Sequence, residues 1–366
     1  MRFECEKEKI KGAVSLAEKM TGKNVTLPVL QSLLFVAQHK SLKIRATNLD
    51  IGIEIEIPAK IDKEGITAVP GALVSQFLSN IQDKTIVFEL ENGNVLVTTK
   101  NSNAIIKSYP YDDFPTLPTI HQKKQSFVLS AEKLVSGLRN VWYSAAQSDI
   151  KPEISSVYVH GEGDEIFFVS TDSFRLAEKS ISLSGKNQNI ALIVPFKNVI
   201  EIVRVFDTFF GDVTVSWNTN QVSFEHEGVY VTSRLIDGIY PDYKQIMPKG
   251  FTTEAVVLRQ DFLNALKVSN LFSDRFNQIT LSVNPRSKKC ELRSKNPDIG
   301  ENIVRIDAAL SGEPVDLNFN HKYIMDCFQS IAKDSISIQL NGAGKPAIIK
   351  GVGDRSFTYL VMPLNQ

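Results

Sequence analysis

A motif that returns at a fixed interval restricts this chain more than its size does. Ile44-Arg45-Ala46-Thr47-Asn48-Leu49-Asp50-Ile51-Gly52 has a counterpart in Leu292-Arg293-Ser294-Lys295-Asn296-Pro297-Asp298-Ile299-Gly300, at an offset of 248 residues. Half that offset, 124, carries Thr47-Asn48 onto Thr171-Asp172. Three copies of one supersecondary unit are therefore expected, each burying its apolar faces with its neighbours' help.

The same interval organises everything else. Three segments open with the i, i+3, i+4, i+7 spacing of an amphipathic helix: Ile10, Ala13, Val14 and Ala17; Leu134, Gly137, Leu138 and Val141; Phe262, Ala265, Leu266 and Ser269. Ser130 stands where an N-cap belongs, and Asp261 falls in a first turn. A second helix follows in each copy, starting near Val69-Pro70, Val194-Pro195 and Phe319-Asn320. Proline near the first helical position suits such a start. Their apolar sides are expected to be Leu73, Phe77 and Ile81; Val199, Ile202 and Val203; Ile324, Phe328 and Ile331. Between the helices the period changes to two. Ile51-Ile53-Ile55-Ile57, Ile86-Phe88-Leu90, Val213-Val215-Trp217 and Ile336-Ile338-Leu340 read as strands, with turns at Asn92-Gly93, Asn218-Thr219-Asn220 and Asn341-Gly342. The fold class is α+β: three repeated domains, each with two helices packed on antiparallel sheet. Proline-rich exits at Pro110–Pro118 and Tyr240–Pro248 place the boundaries at 1–122, 123–249 and 250–366.

The chemistry of an enzyme is missing from the sequence. Gly351-Val352-Gly353 lacks the remainder of a phosphate loop, and neither HExxH nor GxSxG occurs. His39, His121, His160, His226 and His321 are scattered and read as surface histidines. Cys5, Cys290 and Cys327 are too far apart for a zinc motif and read as reduced cytosolic thiols. Neither a metal site nor a cofactor is expected. No apolar run approaches membrane-spanning length, and the acidic start Met1–Glu6 is not a secretory signal, so a cytoplasmic protein is expected. Lys+Arg and Asp+Glu both number 41. A net charge of zero argues against wholesale wrapping of nucleic acid but leaves room for a local basic face.

Three α+β copies in one chain can stack as a solenoid or curve into an arc, and an arc closes by head-to-tail contact with a second chain. Helices lining the hole of a nucleic-acid ring should carry Lys and Arg. Lys7, Lys9, Lys11, Lys133, Arg139, Lys197, Arg204, Lys267, Lys322 and Lys333 are available, although an ordinary solvated face would look alike.

Further segments carry a specific likeness. Met1-Arg2-Phe3, Thr26–Leu30, Ser170-Thr171-Asp172-Ser173-Phe174-Arg175-Leu176-Ala177, Tyr240-Pro241-Asp242-Tyr243, Phe319–Tyr323 and Tyr359–Leu364 resemble, in order and over the whole chain, the bacterial β sliding clamp family, the β subunit of DNA polymerase III. The resemblance implies a ring of six similar domains built as a head-to-tail homodimer. Such a ring encircles duplex DNA without sequence preference. It is non-catalytic and serves as the processivity factor that tethers the polymerase III alpha subunit, the clamp loader and other proteins carrying a clamp-binding peptide. The alternative reading is a repeat scaffold or adaptor that does not touch DNA.

The resemblance also implies sites. A peptide pocket would use Ile154, Thr171, Ser173, Phe174, Arg175, Leu176, Pro241, Gln245, Ile246, Phe276, Asn320, Tyr323, Gly344, Pro346, Leu360, Met362, Pro363 and Leu364. Ile154, Leu176, Ile246, Leu360 and Met362 are expected as wall, and Arg175 and Asn320 as its polar part. Ser173-Phe174 stands in place of the Gly-His common in proteobacterial relatives, and Gln245 in place of a frequent Arg; both departures bear on peptide preference. The DNA channel would use Lys23, Asn24, Ser148, Lys151, Lys197 and Arg204, with Pro152-Glu153 replacing paired tyrosines. The dimer joint would set Ile105 and Ile106 against Leu271 and Phe272, with Lys100 and Lys107 facing Asp298 and Glu301.

Overall fold

The computed structural model describes residues 1–22, 27–120, 125–148, 150–183 and 190–364. Six α-helices lie among them: α1 Lys7–Glu18, α2 Gly71–Asn80, α3 Ala131–Arg139, α4 Phe196–Phe206, α5 Arg259–Asn270 and α6 His321–Cys327. The strands form four sheets, and every strand pairing among them is antiparallel.

Compactness follows the sheets rather than the copies. One unit is Met1–Leu134 with Lys197–Leu235; the other is Val135–Phe196 with Ile236–Gln366. The middle copy contributes to both because its outer strands extend sheets that other copies begin. In the first unit Ile51–Pro58 pairs with Val229–Arg234, Ile53 opposite Val231, inside an eight-stranded sheet. In the second, Arg175–Ser182 pairs with Phe357–Val361, Leu176 opposite Leu360, inside a nine-stranded one. Backbone groups that would be an exposed edge are thereby satisfied.

The repeated motif is one turn built repeatedly. Asn48 Oδ1 accepts from the N–H of Asp50 and Ile51, and Thr47 Oγ1 from that of Leu49, each at 3.0 Å. Asp172 Oδ1 accepts from Phe174 and Arg175 at 3.0 Å, and Thr171 Oγ1 from Ser173 at 3.1 Å. Thr-Asn and Thr-Asp recur because their side chains stand in for backbone partners. The residue between is left-handed, Leu49 at φ 80° and Ser173 at φ 77°. The third copy holds Pro297 there, whose ring fixes φ near −65°. Its turn keeps the bond from Asp298 N–H to Asn296 Oδ1 and adds one from Ile299 N–H to the Asn296 carbonyl.

The helix faces follow the spacing with one exception. Ile10, Ala13, Val14 and Ala17 are buried on α1, Phe262, Ala265, Leu266 and Ser269 on α5, and Val199, Ile202 and Val203 on α4. Ser130 Oγ caps α3, accepting from Lys133 N–H at 3.3 Å. On α2 the buried side is Gly71, Val74 and Leu78, whereas Leu73 is 49% exposed and Phe77 only half-buried. Two apolar stripes lie one residue apart there. Gly71 selects between them: a Cβ on it would stand 3.3 Å from Leu33, so the glycine seats the helix on the strand and takes its own stripe inward.

The histidines also depart from expectation. His39 is exposed and His121 lies outside the described residues, but His160, His226 and His321 are buried. His160 lies within a strand between aromatic rings, His226 ends its strand against Phe209 with Nδ1 2.9 Å from the Asp212 carbonyl, and His321 opens α6.

Candidate functional site

The Thr171–Leu176 turn, the end of the nine-stranded sheet and the last residues of the chain meet in one place. The turn's hydrogen bonds hold Phe174 outward, 60% exposed, while Arg175 points in. Its Nε donates to Asp172 at 3.0 Å, Nη1 to Asp326 at 2.5 Å and Nη2 to the Tyr143 carbonyl at 2.6 Å. The guanidinium lies over the Tyr323 ring, 4.5 Å from its centroid. Arg175 was expected to offer a polar handle to a ligand. It instead ties the turn to α6, since a buried guanidinium needs fixed anionic and carbonyl partners.

Below lies a buried cluster of Val169, Leu176, Ile193, Tyr240, Tyr243, Ile348 and Leu360. Leu176 and Leu360 were expected as wall; both are fully buried and form the floor instead. Their pairing across the two strands points both to the covered face. Met362 packs half-buried against this floor. Its N–H donates to the Phe174 carbonyl at 2.8 Å, and Leu364 N–H to the Asn318 carbonyl at 2.7 Å. The terminal segment is thus seated by its backbone, with Pro363 half-buried between.

The remaining candidates have these surroundings. Ile246 is exposed at the end of the short 3-10 turn Tyr243–Ile246. Gln245 donates to Asp242 at 2.9 Å, and Pro241 is exposed, its carbonyl accepting from Tyr243 N–H at 2.7 Å. Gly344 (φ 71°) and half-buried Pro346 belong to the loop entering the strand that holds Ile348. Asn320 is used as a cap, accepting from Lys322 N–H at 2.9 Å, so it serves α6 before any ligand. Tyr323 is half-buried, and its carbonyl accepts from the Tyr359 hydroxyl at 2.6 Å. Phe276 is exposed beneath the Arg275 guanidinium, beside Asn277 whose carbonyl accepts from His321 N–H at 2.8 Å. Thr171 is spent inside the turn, Ser173 is exposed, and half-buried Ile154 gives its carbonyl to Ala146 N–H. Of these candidates, Phe174, Ile246 and Phe276 are exposed apolar side chains, Met362 packs on the buried cluster, and most of the polar groups are spent on local bonds.

Of the basic candidates, Lys23 and Asn24 lie outside the described residues. Ser148 and Lys151 are exposed, as are Lys197 and Arg204 on α4. Arg204 pairs with Glu201 at 2.6 Å, which sequence reading overlooked. Burial holds the Glu201 carboxyl above the ordinary carboxylate range against the pull of that arginine.

Each of the four sheets has two edge strands among the described residues, and two of these edges carry the candidates for the joint. Asn103–Lys107 ends the five-stranded sheet and Gly300–Arg305 ends the four-stranded sheet. Ile105 is 74% exposed, but Ile106 is only 3% exposed and faces its own sheet, so the expected contact through Ile106 fails. Both residues are apolar, and alternation admits only one of them outward. Leu271 is exposed and Phe272 half-buried; Asp298, Glu301, Lys100 and Lys107 are exposed. Ile303, 58% exposed on the second of these edges, was missed. Its place two residues from Glu301 on a strand is the signal that could have found it.

Among the described residues no three of His, Cys, Asp and Glu gather as a metal site, and no helix is long and apolar enough to cross a membrane. The three cysteines are buried; burial pushes Cys5 up to about 12 and Cys290 up to about 11, which suppresses the reactive thiolate.

Comparison with known proteins places this geometry. Residues 1–118, 128–242 and 244–365 match, in turn, the DNA polymerase III beta subunit's N-terminal, central and C-terminal domains. The chain is 26% identical to the beta sliding clamp of Synechococcus elongatus, covering 100% of this chain and 99% of that one. It is 25% identical to that of Staphylococcus aureus over 94% of each. Among solved structures, the DNA polymerase sliding clamp of Bacillus subtilis superposes with a TM-score of 0.95 at 24% identity, covering 100% of this chain and 99% of that one. The DNA polymerase III beta subunit of Thermotoga maritima gives 0.94 at 24%, with the same coverage.

Proposed function

This chain belongs to the DNA polymerase III beta subunit family and is a DNA sliding clamp, and we propose that it works as a closed, non-catalytic ring. The observation that carries the ring is an exposed isoleucine on each of two sheet edges. Asn103–Lys107 and Gly300–Arg305 each present an exposed isoleucine and unpaired backbone groups, which a head-to-tail contact between two chains satisfies at once. Two chains of three copies then close six domains around a duplex. The three copies divide at 1–122, 123–249 and 250–366.

A zero net charge suits this use. Enclosure supplies retention, so phosphate contacts through Lys151, Lys197 and Arg204 are weak, few and blind to sequence. The surface formed by Phe174, Ile246, Phe276, Tyr323 and Met362 over the Leu176–Leu360 floor takes a short peptide with apolar anchors from the polymerase alpha subunit, the clamp loader or another partner. The protein acts in the cytoplasm. The test is topological: loaded onto nicked circular DNA, the protein stays bound through gel filtration and is lost once the circle is linearised. Equal retention on both forms excludes the ring.

A further inference from the structure

The segment carrying Gln245 and Ile246 is docked on the nine-stranded sheet through stacked rings and a hydroxyl that lie beneath the exposed candidates of the peptide site. Four rings stack in succession: Tyr240 on Tyr158 at 4.7 Å, Tyr158 on His160 at 5.0 Å, and His160 on Phe167 at 5.1 Å. Tyr240 and Tyr243 come from the covering segment; Tyr158, His160 and Phe167 come from the sheet. The Tyr243 hydroxyl donates to Glu178 Oε2 at 2.6 Å and lies 2.9 Å from His160 Nε2. Its one proton goes to the carboxylate, so His160 must donate from Nε2. Lys244 closes the rim, ion-paired to Glu162 with its ammonium over the Phe167 ring.

We propose that the Tyr243 hydroxyl is a positioning group: bonded to His160 and Glu178, it fixes the Tyr243–Ile246 turn in the geometry that accepts a partner peptide. The inference rests on the reading of this surface as a peptide site. Tyr243 opens the turn whose last residue is Ile246, and it shares one buried cluster with Leu176 and Leu360. A shift at its hydroxyl therefore displaces Ile246 relative to the floor, because a packed cluster does not deform freely.

The chain of bonds also gives the device a pH dependence. The titratable groups around His160 are Tyr158, stacked on it, and Glu162 on its own strand, Tyr243 and Lys244 on the covering segment with Tyr240 beyond Tyr158, and Glu178, which it reaches through the Tyr243 hydroxyl. Burial first, then Lys244, hold the imidazole below the ordinary histidine value, against Glu162. The docked turn thus disfavours the extra proton. Acidification through the ordinary histidine range, about 6.5 and below, favours an undocked turn where His160 is hydrated.

The test uses the full-length protein and a labelled C-terminal peptide of its replicative polymerase, titrated by anisotropy from pH 5 to 8. The wild type should bind, and lose affinity as pH falls below about 6.5. Tyr243→Phe keeps the ring and removes both bonds of the hydroxyl, the one to Glu178 being charge-assisted, so at pH 7.5 affinity should drop about 10-fold. Glu178→Gln retains an acceptor and should stay within about twofold of wild type; Glu178→Ala loses the charge-assisted bond but keeps the contact with His160, so its affinity should fall between those of wild type and Tyr243→Phe. Should Tyr243→Phe fail to fold, the two Glu178 variants decide alone. Equal affinity in wild type and the hydroxyl-breaking variant overturns the positioning role and leaves the peptide site standing. A wild type that does not bind overturns the peptide reading and this inference with it.

Discussion

Replacing Ile105 and Ile303 together by alanine tests the ring joint where the structure is most specific. Both side chains are largely exposed in the single chain, at 74% and 58%, so their loss costs that chain little. If each is covered at the joint, alanine forfeits about 1–1.5 kcal/mol of burial per side chain. Two side chains at each of two joints sum to about 5 kcal/mol per ring, which weakens dimerisation roughly 10³- to 10⁴-fold. Sedimentation velocity across nanomolar to micromolar concentrations reads this directly: a wild-type dimer, a double variant shifted to monomer, and nearly equal thermal midpoints for the dissociated chains. Ile106→Ala is the contrasting control. That side chain is 3% exposed inside its own sheet, so its loss should lower chain stability by about 2–4 kcal/mol. A wild type that is monomeric at micromolar concentration, or a double variant that dimerises as tightly as wild type, refutes the assignment of these edges.

Removing residues 362–366 takes away the Met362 packing and both terminal backbone bonds. Peptide affinity by anisotropy should fall at least about 30-fold, with a stability loss of about 1–3 kcal/mol and an intact dimer. Lys197→Ala and Arg204→Ala should each flatten the log–log salt dependence of DNA binding by up to about 0.9, and the ion pair with Glu201 reduces the share of Arg204. Glu201→Gln should therefore tighten DNA binding at low salt; a weaker complex would contradict the pairing. Arg175→Ala leaves Asp172 and Asp326 without their partner and should destabilise the chain by about 3–5 kcal/mol in denaturant titration. Arg175→Lys should recover little, because one ammonium cannot reach three directions from a fixed plane.

Local rules made much of the molecule legible in its sequence. Helical spacing located α1, α3, α4, α5 and α6, and Asn92-Gly93 lies in a turn with both residues at positive φ, 47° and 76°. The repeated Thr-Asn and Thr-Asp pairs marked a turn that needs those side chains, and the same repeat foretold the α+β units. These features depend on residues within a few positions of one another, so spacing and residue type determine them. What tertiary structure alone decided involves partners far apart in the chain. Leu73 and Val74 are both apolar, and the packing of α2 buries Val74 on the side where Gly71 comes close to Leu33. Ile105 and Ile106 are the same residue, and the sheet beneath chooses which is covered. Arg175 looked available until Asp326, 151 residues away, claimed it. His160 read as surface until Tyr243 and the stacked rings enclosed it. In each case the sequence supplies chemically equivalent options, and the choice is made by burial against a surface that forms only when distant strands pair.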